Sequence, residues 1–197
     1  AIKIEDLKEY CKKNKIQSAG ISDTSNLCGA LEFSENLAKV GCQPIIGTQI
    51  VFNYKENFGL IPLIAKNEKG YQNILELSSK SYLSNINLNL PNCNFDDLLK
   101  YKDDIILFSG SINGLIGKLF NEGKSTDIEN IYKKLKTIFK NNFYIEIQRH
   151  GDLNEKSFEL FNLSLSNKLM IPLIATNEVY YLNKDMYDAH DALMCIG

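Results

Sequence analysis

Short apolar runs that break off into hydroxyl, amide and acidic residues, each leading into a helical pattern, recur along this chain and limit its fold more than any other feature. Gln17 to Gly29 is the clearest case. Ser18 to Ile21 reads as a strand, and Ser22, Asp23, Thr24, Ser25 and Asn26 form a polar lip at its end. A helix follows, with Leu27, Leu31, Phe33, Leu37 and Val40 on its apolar side. Ser25 or Asn26 is placed to cap that helix, and Gly41 to end it. The unit returns at Asp104–Phe108, Asn142–Ile147 and Met170–Ala175, which run into Ser109-Gly110, Gln148-Arg149-His150-Gly151 and Thr176-Asn177-Glu178.

The remaining segments fit around these units. Ile4–Asn14 carries Ile4, Leu7 and Cys11 at helical spacing. Pro44–Phe52 is a strand interrupted at Gly47-Thr48-Gln49, and a turn over Asn53–Gly59 returns the chain into Leu60–Ala65. Helices are predicted over Glu68–Lys80, Phe95–Tyr101, Ile112–Phe120, Ser125–Lys140 with Ser125 or Thr126 as cap, Glu155–Asn167 and Asp185–Ile196. In the Asn-rich connector Asn85–Asn94, alternating Ile86, Leu88 and Leu90 suggest a short edge strand. Short, wholly apolar strands of this kind suit a parallel sheet covered by helices. That leaves a βα barrel or a doubly wound sheet. The polar lips favour the barrel, which gathers working residues at many strand ends, whereas an open sheet concentrates them at one switch point. Because the chain opens on a helix, the barrel reading expects a further strand before Ala1.

Composition excludes several classes. At 197 residues and 44% hydrophobic, the chain can bury a full core. It contains no apolar run long enough to span a membrane and no signal-peptide core near Ala1, so neither export nor insertion is predicted. Five scattered cysteines without a C-x-x-C pair fit reduced thiols and a cytoplasmic location. Among 22 basic residues only Arg149 is an arginine, so bidentate phosphate recognition has little to work with. Lys12, Lys13, Lys133, Lys134 and Lys136 read as solvated helix faces.

The lips collect Asp23, Thr24, Gln49, Ser109, Glu146, Gln148, Arg149, His150, Asn177 and Glu178. A hydrolytic metal centre needs several His and carboxylate ligands per ion, and this set holds one histidine. His190 sits in the last helix pattern beside Asp188 and Asp191 and reads as a surface residue. No G-x-S-x-G elbow follows a strand, and Cys28 already lies within helical spacing. Gly110 to Gly117 lacks the Gly-Lys-Ser/Thr ending of a phosphate loop, so an ordinary helix start is preferred there.

Six blocks, in order and spacing, resemble a known family. They are Ser22-Asp-Thr-Ser-Asn-Leu-Cys-Gly29, Pro44-Ile-Ile-Gly-Thr-Gln49, Ile64-Ala-Lys-Asn-Glu-Lys-Gly-Tyr-Gln-Asn-Ile74, Tyr144-Ile-Glu-Ile-Gln-Arg-His-Gly151, Ile174-Ala-Thr-Asn-Glu-Val-Tyr-Tyr181 and Asp188-Ala-His-Asp191. The resemblance is to the polymerase and histidinol phosphatase (PHP) domain, in the version carried by the bacterial DNA polymerase III alpha subunit. It implies a distorted seven-stranded βα barrel, with residues 1–197 as one domain that lacks its first strand, the bearer of a His-x-His block, and continues into a polymerase body beyond 197.

The departures from the family pattern decide what the resemblance implies for chemistry. Thr24 stands where metal-binding members have a histidine, Gln49 where they have a glutamate, and Leu60 where they have a histidine. Glu178 takes an aspartate position and Tyr180 a histidine position, while Asp23, Glu146 and His150 remain family-like. Cations held by such a set would repel one another without compensation, so the site reads as vestigial and its polar residues as a hydrogen-bonded plug. The expected role is a scaffold that docks the proofreading exonuclease subunit and other polymerase III subunits, with DNA handled by the full-length polymerase. No cofactor is expected in this domain, and Mg belongs to the polymerase domain outside it. The alternative is a phosphoesterase or 3′ to 5′ exonuclease that keeps Zn or Mn on Asp23, Glu146, His150 and Glu178.

Overall fold

The computed structural model describes residues 2–84 and 90–196. Eight helices and seven strands follow one another among them: α1 (Ile4–Asn14), β1 (Ser18–Thr24), α2 (Ala30–Ala38), β2 (Gln43–Tyr54), β3 (Asn57–Ala65), α3 (Glu68–Leu83), β4 (Cys93–Asn94), α4 (Asp97–Lys100), β5 (Ile105–Phe108), α5 (Leu115–Asn121), α6 (Ser125–Phe139), β6 (Phe143–Ile147), α7 (Glu155–Leu169), β7 (Leu173–Ala175) and α8 (Tyr187–Ile196). The strand–helix rhythm of the sequence is therefore the rhythm of the fold. No described helix is long and apolar enough to cross a membrane.

The sheet order is β1-β2-β3-β5-β6-β7, with β4 beside β2. It is mixed, where the sequence suggested parallel pairing throughout. β2 and β3 form an antiparallel hairpin, and β3 pairs antiparallel with β5. The β5–β6 and β6–β7 pairs are parallel, as crossover helices require. The hairpin follows from a two-residue turn, Lys55-Glu56, with φ of 46° and 69° between the paired residues Tyr54 and Asn57. Positive φ at both central positions matches the twist of the strands and closes a tight hairpin.

The chain divides into two compact units. Residues 1–21, 29–45 and 177–197 make one, and residues 22–28 and 46–176 the other. In the first, α1 packs on α2 and buries Cys11, Phe33, Leu37 and Cys42. In the second, one cluster holds Ile50, Phe52, Ile61, Leu63, Leu107 and Phe143 from the strands with Ile74, Leu77, Leu115 and Leu135 from the helices. These apolar runs fill both faces of their strands, so most polar residues fall at the strand ends, with Thr48 and Gln49 of β2 as exceptions.

Several local expectations change. β2 runs unbroken through Gly47-Thr48-Gln49, because cross-strand pairing to Pro62, Leu63 and Ile64 overrides the weak strand propensity of those residues. β1 extends through Asp23 to Thr24, so the first polar lip is strand rather than loop. Neither Ser25 nor Asn26 caps α2, which starts after Gly29 with no side-chain cap. Asn26 instead accepts from the Cys28 N–H at 2.9 Å. α6 likewise starts at Ser125 after an uncapped Lys124. At α3 the Asn67 side chain does cap, accepting from the Gly70 N–H at 3.0 Å. Of the alternating trio in the connector, Leu90 lies outside any strand, and Ile86 and Leu88 fall outside the described residues.

Two substitutions with opposite signs test this packing. A Cβ on Gly117 would meet the Ile112 carbonyl oxygen at 2.0 Å. Gly117→Ala is expected to destabilise by about 1–3 kcal/mol. Glu56→Gly removes a left-handed non-glycine residue and is expected to stabilise by about 0.5–1 kcal/mol. Urea unfolding of the two variants checks both signs.

Candidate functional site

In the larger unit, the carboxyl ends of β5, β6 and β7 converge on Glu146. Its side chain points out of a strand that is otherwise apolar, yet the residue is only 4% exposed. Oε1 accepts from Thr176 Oγ1, just past β7, and from Gln148 Nε2 at 3.2 Å. Gln148 Nε2 also donates to Thr176 Oγ1 at 3.0 Å, so carboxyl, hydroxyl and amide close a triangle. From the other side, the Glu146 N–H donates to Ser109 Oγ at 2.9 Å, and the Ser109 N–H donates to the Tyr144 carbonyl at 3.0 Å.

Behind this group lies a second buried polar pair. Tyr132 on α6 donates to Asn162 Oδ1 on α7 at 2.9 Å, and both residues are fully buried. Burial pushes the Tyr132 hydroxyl well above its ordinary range, so it stays a neutral donor. A cavity of about 10 Å³ remains between Glu146, Gln148, Ser111, Phe158 and Asn162. That volume is at the lower limit for a single water.

Asp23 and Gln49 are engaged through their backbone carbonyls where the end of β1 lies beside the middle of β2. Thr48 Oγ1, fully buried, donates to the Asp23 carbonyl at 2.7 Å, and the Ser25 N–H donates to the Gln49 carbonyl at 2.7 Å. Ser25 reaches this bond with φ of 58°. Gln49 and Leu60 lie on neighbouring strands, opposite Pro62 and Val51, and so share one face of the sheet. Thr24 is exposed.

His150 follows β6 in an exposed turn, where its backbone N–H and that of Gly151 donate to the Glu155 carboxylate at 2.8 Å. The backbone is held, and the imidazole takes no part. Arg149 forks onto Glu159 at 2.9 and 2.7 Å, which lowers the Glu159 carboxyl below its ordinary range. The smaller unit carries Glu178 and Tyr180, whose hydroxyl donates to Glu178 at 3.2 Å and whose ring stacks on His190 at 5.3 Å. Burial, ahead of the neighbouring Glu178 charge, raises the Tyr180 hydroxyl.

The structure thus gathers Glu146, Gln148 and Ser109 and leaves the His150 and Arg149 side chains outward. It also recruits Thr176, Thr48, Tyr132 and Asn162, which the sequence inventory lacks. Thr176 was visible as a lip residue. Thr48 looked like a strand interruption, and Tyr132 and Asn162 sit inside helices with nothing in their spacing to mark them. Glu146 Oε1 is committed to Thr176 and Gln148, and Leu60 offers no ligand atom. Among the described residues no three His, Cys, Asp or Glu side chains group in a way that could hold a metal ion.

Thr176→Val removes the hydroxyl shared by Glu146 and Gln148 and leaves both short of a partner. The expected loss is about 1–3 kcal/mol in urea unfolding, whereas Glu146→Gln, which keeps an acceptor at Oε1, is expected to lose under about 1 kcal/mol. Equal losses in the two variants would count against the hydrogen-bonded closure.

Comparison with known proteins gives a consistent result. The family model for the PHP domain matches residues 1–150. DNA polymerase III subunit alpha of Caulobacter vibrioides is 35% identical over all of this chain, that of Rickettsia felis 37% and that of Borreliella burgdorferi 35%. The chain spans only 16 to 18% of the length of these relatives.

Proposed function

The chain belongs to the PHP domain family, and we propose that within a DNA polymerase III alpha subunit it acts as a non-catalytic domain whose former metal site is closed by hydrogen bonds. Its α/β fold with a seven-stranded sheet is consistent with the βα barrel of that family. The observation that carries the proposal is the engagement of Glu146. The carboxylate that keeps a family-like place is tied to a threonine and an amide around a cavity of about 10 Å³. Thr24, Gln49, Leu60 and Tyr180 support it, because none of them brings an imidazole or a carboxylate to neutralise and hold clustered cations, and Leu60 brings no ligand atom at all.

On this reading residues 1–197 are one domain of a longer cytoplasmic polymerase. Nucleotidyl transfer, with Mg, belongs to other parts of that protein. The work of this domain is to steady the polymerase and to receive the proofreading exonuclease subunit and its partners in the holoenzyme. The Glu146, Thr176 and Gln148 closure contributes rigidity to the strand ends.

Two measurements on the full-length protein test the proposal. Zinc and manganese retained after dialysis should be unchanged by Asp23→Ala and Glu146→Ala, and hydrolysis of a generic phosphodiester should not depend on either residue. Stoichiometric metal lost together with hydrolysis in Glu146→Ala overturns the reading in favour of a phosphoesterase. Capture of the purified proofreading subunit should fall when residues 1–197 are deleted, and undiminished capture removes the docking role.

A further inference from the structure

Where β6 and β7 begin, at the end of the sheet away from Glu146, the larger unit has an open cleft of about 840 Å³. Lys133, Lys136, Lys140 and Lys168 line it, with Tyr144 and Met170. No carboxylate is among its lining residues. Glu129 stands close by, paired with Lys133 and Lys168 at 2.8 Å each. Hydrogen bonds from Lys133 and then Lys168 hold its carboxyl down to about 2, so it stays charged. α6 and α7 end here too, and each helix end adds roughly half a negative charge. Lys136 answers one of them by donating to the Leu169 carbonyl. About two negative charges therefore face four positive ones. The cleft stays cationic in a chain whose net charge is -2.

Complementing helix ends accounts for Lys136 but leaves much unexplained. Among the described residues neither Lys136 nor Lys140 has a carboxylate partner. Beside the lysines, Met170, which also lines the cleft, is 78% exposed. A cleft with an excess of ammonium groups over carboxylates next to an uncovered apolar side chain matches a ligand with both characters.

We propose that this cleft docks an acidic, amphipathic peptide segment of a partner protein. Carboxylates of the segment meet the lysines, and its apolar residues cover Met170. Nucleic acid fits less well. The cleft has no arginine fork for phosphate, and its one aromatic ring, Tyr144, is half-buried and set edge-on to Phe108 at 6.2 Å rather than offered as a stacking face. The inference does not use the Glu146 region, so it stands or falls separately from the closure of that site.

The test is fluorescence anisotropy on the full-length protein with a fluorescein-labelled peptide of about ten residues built from Glu, Asp, Leu and Phe. Binding should weaken as salt rises. It should fall about tenfold with Lys140→Glu, whose side chain holds no other element in place, and severalfold with the exposed Met170→Ser. Thermal unfolding confirms that both variants keep the fold. A peptide with Ser for Leu and Phe should bind more weakly. Absence of salt-dependent binding, equal binding by both variants, or stronger binding of a thymidine oligonucleotide of the same charge overturns the proposal.

Discussion

A carboxyl group placed inside a protein is costly unless its oxygens are engaged, and Glu146 imposes that requirement on three strands at once. Thr176 comes to it from β7, Gln148 from the end of β6, and Ser109 from the end of β5 receives its N–H. The parallel run of β5, β6 and β7 brings these three ends to the same side. Sheet geometry and polar satisfaction therefore support each other. Loosening one strand end would expose the demands of the other two.

The same strand direction separates two electrostatic environments within the larger unit. Carboxyl ends carry a compact, mutually satisfied polar group with room for about one water. Amino ends of β6 and β7 carry an excess of lysines over their local counter-charges. The first spends its polar groups on one another, and the second keeps a surplus of positive charge. Membership of a family built for metal chemistry does not by itself say which end does the work.

Much of this was legible from residues. Apolar runs of four to nine residues alternating with helical patterns gave the α/β class, because strand and helix periods cannot be satisfied by the same spacing. β5, α3 and α7 fall where the pattern put them. The family blocks located Asp23, Gln49 and Glu146. Caps were less legible: Ser25 carries a φ of 58° and a bond to Gln49 instead of capping α2, a choice settled by a strand far away in sequence.

What the sequence determined by itself was periodic and local: the order of strands and helices, the polar strand ends, and the residues Thr24, Gln49, Leu60 and Tyr180, which offer neither imidazole nor carboxylate. Only the tertiary structure decided pairing and company. It made β2 and β3 an antiparallel hairpin, chose Thr176 as the partner of Glu146, joined Tyr132 to Asn162, and turned lysines of two separate helices into one cationic cleft. The reason is that residue type fixes what a side chain can offer. Which distant group accepts the offer depends on chain crossings that leave no trace in local spacing.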